Sequence, residues 1–126
     1  MHAYRLVLVC LLSASSSGCV WQPAVVPGHD PERAREILTT ALEAWKNGNV
    51  QALATQTPPI RFQDDDLVSG CKLIGYEMMD SKIMILPFKN VTVNLDLQNP
   101  QGKRQRRKAA YQVGLQPFLS VQRSDN

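Results

Sequence analysis

The chain has 126 residues, 44% of them hydrophobic and 20% charged, with three cysteines and a formal net charge of +3 at pH 7. This length excludes a second ordinary domain, and three cysteines exclude a scaffold held by several disulfides. The charge is uneven: Lys103 to Lys108 holds five cations, while the rest of the chain after residue 18 has eight Lys and Arg against eleven Asp and Glu.

Residues 1–18 have a secretory layout. A short basic head (His2, Arg5) precedes the apolar run Leu6 to Leu12, and Ser15-Ser16-Ser17-Gly18-Cys19 follows. The apolar run is too short for the ~30 Å hydrocarbon core of a bilayer, which disfavours a retained anchor. Small residues directly before a cysteine resemble the lipobox of bacterial lipoproteins, in which the thiol takes a diacylglyceryl group and the leader is cut before it. Ser16 departs from that pattern, which usually has an aliphatic residue there. The resemblance implies lipidation of Cys19 and a membrane-anchored protein of the bacterial cell envelope. The alternative is a plain secretory leader cut near Ala14 or Ser15, leaving a secreted or periplasmic domain.

Cysteine usage follows the same fork. Cys10 leaves with the leader, so a lipidated Cys19 leaves Cys71 without a partner, and an unlipidated Cys19 permits a Cys19–Cys71 bond in an oxidising compartment. A buried thiol acting as a small apolar residue is the commoner role for Cys71, because His29, the only candidate base, lies outside the body. From residue 19 to residue 29 the chain carries Pro23, Pro27 and Gly28 without apolar periodicity, as a flexible tether would.

The domain, residues 30–126, opens on a helix. Asp30 suits an N-cap and Pro31 the first helical position. Ala34, Ile37, Leu38, Ala41, Leu42 and Trp45 fall on one stripe, with Glu32, Arg35, Glu36, Glu43 and Lys46 opposite, and Gly48 supplies the stop. A second short helix is predicted from Val50 to about Thr55, capped by Asn49 and ended by Pro58-Pro59. Strands follow: Leu73 to Met79, then Val91, Val93, Leu95 and Leu97 alternating with polar residues. A turn at Asn99-Pro100-Gln101-Gly102 comes next, then a return strand with Ala109, Tyr111, Val113 and Leu115 on its apolar face, and a last strand from Phe118 to Arg123. The fold class is α+β, with one long helix packed across a curved antiparallel sheet of about four strands.

Asp30-Pro31 opening a helix that ends Ala44-Trp45-Lys46-Asn47-Gly48, followed by Pro58-Pro59, an acidic turn at Asp64-Asp65-Asp66 and a meander closing on Val121-Gln122-Arg123, resembles small domains of the nuclear-transport-factor-2-like or cystatin-like kind. The resemblance implies a cone-shaped sheet. It implies no single function, because such folds serve isomerases, cyclases and noncatalytic binding modules alike.

Candidate chemistry is sparse. Neither histidine lies in the body, Asp96 falls on the polar face of its strand, and Asp64 to Asp66 are expected as solvated carboxylates at a helix start. They lack the calcium-loop pattern, in which oxygen ligands alternate with spacers and a bidentate Glu follows about twelve residues on: position 75 is Gly75, and Glu77 lies within a strand pattern. No paired spacing for zinc and no phosphate-binding glycine loop occurs, so neither metal nor cofactor is expected. Two surfaces remain as candidates. Lys103, Arg104, Arg106, Arg107 and Lys108 form a basic hairpin suited to an anionic membrane surface, an anionic polymer or an acidic envelope protein. The leader and the lack of interleaved aromatic residues argue against nucleic acid. Trp45, Tyr76, Met78 and Tyr111 could instead line a small-molecule or enzymatic cavity between helix and sheet. The expected function is a noncatalytic envelope lipoprotein acting as a binding or assembly module, with the cavity reading as the alternative.

Overall fold

The computed structural model describes residues 30–79 and 90–125. Cys19, the leader and the tether lie outside them. The first element is helix α1 (Pro31–Lys46). Its N-terminus is built as the sequence leads one to expect: the Asp30 carboxylate accepts from the Arg33 backbone N–H at 3.1 Å, and Pro31 follows. Ile37, Leu38, Ala41, Leu42 and Trp45 are buried on one face, and Gly48 ends the helix in the left-handed region at φ 68°.

Helix α2 (Gln51–Thr55) follows directly. The expected Asn49 side-chain cap is absent. Val50 holds the cap position in helical conformation with no side-chain bond, and Asn49 contributes its backbone carbonyl to the Ala52 N–H at 3.1 Å. The chain then forms strand β1 (Ile60–Gln63), the one-turn helix α3 (Asp65–Val68), β2 (Lys72–Met78), β3 (Asn90–Gln98), β4 (Arg104–Gly114) and β5 (Leu119–Arg123).

These strands make one curled, half-barrel sheet in the order β1-β5-β4-β3-β2. The expectation of about four strands, all antiparallel, is corrected here. Strand β1 is a fifth, and it runs parallel to β5 with Ile60 opposite Leu119 and Phe62 opposite Val121. Four residues give too short an alternation to stand out, and their partner lies almost at the other end of the described chain. The other pairings are antiparallel. The sheet remains one layer of an α+β domain with a single main helix against it.

Register assigns each side chain a face. Ile60, Phe62, Leu73, Val93, Leu95, Leu97, Ala109, Tyr111, Leu119 and Val121 belong to the core with the stripe of α1. Burying a Leu or Val side chain of this kind contributes about 1.5–3 kcal/mol, so this layer dominates stability. Cys71 is buried, as a small apolar residue at the rim of the core, and has no disulfide partner among the described residues.

Helix α1 runs antiparallel to β2. Thr39 reaches Met78, Glu43 reaches Tyr76, and the Trp45 indole N–H donates to the Cys71 carbonyl at 3.0 Å. The molecule therefore has two ends. Asp30 and Met78 mark one. The C-terminus of α1, Cys71 and the β3–β4 turn mark the other, where Gly70 abuts Pro100 so closely that an added Cβ would sit 3.3 Å from the ring.

Candidate functional site

The six-residue cationic run does not form one patch. Alternation along β4 sends Arg107 to the same side as Ala109 and Tyr111, and sends Arg104, Arg106 and Lys108 to the outer face. Arg107 bonds Asp66 at 3.1 Å. Arg106 lies opposite Asp96 and is held there at 3.4 Å, with Glu77 at 3.8 Å. Lys103 at the turn, Arg104 opposite Gln98 and Lys108 opposite Asn94 are exposed, and among the described residues no ion pair holds them. The turn that carries them is fixed by Gly102 at φ 85° and by the Asn99 side chain, which accepts from the Lys103 backbone N–H at 2.8 Å.

The four residues proposed to line a cavity have their polar or polarisable atoms engaged within the protein. Trp45 is buried, spends its N–H on Cys71 and meets Phe62 edge-on at 6.0 Å. The Tyr76 hydroxyl donates to Glu43 at 2.7 Å. Burial, with the hydrogen bond to Glu43 and its charge, pushes that phenol up to about 12. Met78 sulfur accepts weakly from Thr39 at 4.0 Å. Tyr111 is fully buried and donates to Asp64, and burial with this carboxylate contact raises its pKa well above the ordinary phenol value.

Tyr111 leads into the feature that the sequence reading missed. Asp64 and Asp66 are 2% and 7% exposed, so the expectation of solvated carboxylates holds only for Asp65. Asp64 is the N-cap of α3. Its Oδ1 accepts from the N–H groups of Asp66 at 2.8 Å and Leu67 at 3.1 Å. Arg123, whose side chain is also buried, donates to Asp64 at 3.2 Å and to Asp66 at 2.7 Å. Its Nε contacts Asp125, which in turn accepts from the Ala110 N–H at 3.3 Å. Burial works against the Arg123 charge, but the bonds to Asp125 and Asp66 and the field of Asp64 outweigh it and hold its pKa above the ordinary value. Burial also works against the Asp125 carboxylate, and the Arg123 and Ala110 bonds outweigh it, holding its pKa below the ordinary value.

Two arginines thus face three carboxylates, with a tyrosine hydroxyl closing the set. Every acid–base group here is bonded to a neighbour, and the network ties α3, β4 and β5 together. Among the described residues, no group of three or more His, Cys, Asp or Glu is placed to hold a metal ion. None of their helices is long and apolar enough to cross a membrane. Comparison with protein-family models, curated proteins and solved structures finds no match to this chain.

Proposed function

We propose that this chain is a noncatalytic, membrane-tethered binding or assembly module of a bacterial cell envelope, lipidated at Cys19, with a cystatin-like helix-on-sheet domain and a basic hairpin as its contact surface. One observation carries this reading: Lys103, Arg104 and Lys108 are exposed cations that no ion pair holds among the described residues, whereas Asp64, Asp66, Tyr111 and Arg123 are all consumed by one another. A general acid or base must reach a substrate proton, and these groups are directed at protein partners. The cavity alternative has less support, because Trp45, Tyr76 and Tyr111 already have hydrogen-bond acceptors within the fold.

The leader supports the address. Two or three acyl chains at ~0.8 kcal/mol per buried methylene would hold the domain at a membrane, with residues 19–29 as tether. Intact-mass analysis of the chain expressed in a bacterial host tests this, with Cys19→Ser as control. A diacylglyceryl mass that the control lacks is the expected result. A mature chain starting near Ser15 or Ser16 without lipid would overturn the anchor.

A further inference from the structure

We infer that the outer face of the sheet docks a different protein whose contact surface is concave and acidic, with Phe118 and Arg61 as the anchor and Lys72, Arg104 and Lys108 as the charged rim. The inference rests on the proposed role of the basic hairpin as a contact surface and adds the class of its partner.

The first observation is an anchor at the corner of the face remote from the hairpin. Ile60 and Phe62 belong to the core, so Arg61 between them points outward, and Phe118, which precedes the buried Leu119, shares that side. Phe118 is 46% exposed, and the Arg61 guanidinium lies 4.0 Å from its ring centroid. Aromatic and arginine side chains are enriched where proteins bind proteins and supply many of the residues that dominate such contacts. Ile74, half-buried at the bulge of β2, adds apolar surface near the opposite edge.

The second observation is charge. Arg61, Lys72, Arg104 and Lys108 are exposed, and no ion pair holds them among the described residues. Glu77 and Asp96, the acids of the same face, both pair with Arg106. The complement is therefore a surface rich in Asp and Glu. A second copy does not supply one among the described residues, because Glu32, Glu36 and Glu43 of α1 are interleaved with Arg33, Arg35 and Lys46.

The third observation is size and shape. Five strands span about 19 Å, and β4 from Arg104 to Gly114 runs about 34 Å, which gives the face roughly 650 Å². Each partner in a standard protein interface contributes about 800 Å², so the face is of the right order. The sheet is curled around the side that α1 fills, and its outer face is convex. A flat anionic bilayer would touch that face along one strip and would set its head groups against Glu77 and Asp96. A concave protein surface can meet the anchor on β1 and the cations on β2 and β4 together.

The test places p-benzoylphenylalanine at Gln122, an exposed outer-face position, in the full chain produced in its native cells, with the same probe at exposed Lys46 of α1 as control. Irradiation should give one protein adduct at Gln122 and none at Lys46. A carbodiimide, which joins an amine to a carboxylate in contact, should link Lys72, Lys103 or Lys108 to Asp or Glu of that same protein. Once that protein is purified, Phe118→Ala should weaken its binding at least about tenfold. Arg104→Ser combined with Lys108→Ser should slow association at least about threefold and flatten its salt dependence. Circular dichroism checks that both variants keep their fold.

No adduct at Gln122, an equal adduct at Lys46, a crosslinked pair of this chain, a captured protein with no carboxylate joined to these lysines, or unchanged binding by either variant would each overturn the inference. The outcomes also separate its failure from that of the function proposed above. A lipid or polysaccharide adduct at Gln122 removes the protein partner and keeps the face as a contact surface, whereas the absence of any adduct removes both. Intact mass of the same chain reads Cys19 independently, so a missing lipid removes the anchor and leaves the contact.

Discussion

Arg104 and Arg107 stand three residues apart on the same strand and have opposite environments. Arg107 follows the parity of Tyr111 and ends against a buried carboxylate, while Arg104 follows the other parity and ends in water. The comparison extends to both faces of the sheet. Charge on the inner face fastens α3 and β5 to β4, whereas on the outer face Arg106 pairs with Asp96 and Glu77 and Arg104 and Lys108 are exposed. The same residue type in one cationic run is thus bonded to a buried carboxylate on one side of the sheet and exposed to water on the other.

The sharpest way to break this comparison is to remove the innermost cation. Arg123→Ala leaves Asp64 and Asp66 buried without their shared partner, and deleting one member of a buried ion pair costs about 3–5 kcal/mol. Urea unfolding should show a loss of that size. A loss below about 1 kcal/mol would mean that the network contributes little. Tyr111→Phe is milder. It keeps the ring packed beside Phe62 at 6.3 Å and removes one bond to Asp64, with an expected cost of about 1–2 kcal/mol. Arg107→Ala should cost about 1 kcal/mol, since its side chain is 48% exposed, and Arg104→Ala should stay within about 0.5 kcal/mol. In binding to the acidic partner the order should reverse, with Arg104→Ala the more damaging of the two.

Much of the scaffold was legible because its signals are local. The Asp30 cap, Pro31 and the Ile37 to Trp45 stripe specify α1 within a single window, and the alternation on either side of Asn99 to Gly102 specifies the β3–β4 hairpin. Strand β1 was not legible, because Ile60 and Phe62 acquire meaning only against Leu119 and Val121. The ionic network was half legible. Leu119, Val121 and Arg123 share one parity, as do Arg107, Ala109 and Tyr111, so each arginine falls on an apolar face and requires a buried counter-charge. Asp64 and Asp66 gave no such sign, since a buried carboxylate and a solvated one look alike in a run of three aspartates.

The smallest effect separates the rim of the core from its interior. Tyr76 is half-buried and donates to Glu43, with its pKa pushed up from 10.0 to about 12. A raised folded value means that the native state holds the phenol proton more tightly than the unfolded chain does. The associated stability is complete below pH 10 and disappears as pH rises through about 12. Wild type and Tyr76→Phe should therefore differ in urea midpoint near about pH 8 and lose most of that difference by about pH 11.5. Tyr111, with the same direction of shift and full burial, should stay protonated through that window. Tyrosinate absorbance of the native domain should then begin to rise as pH approaches 12, heading toward one phenol, and Tyr76→Phe should abolish that rise. A rise that survives in Tyr76→Phe would place an ionising tyrosine inside the network and remove the distinction between rim and interior.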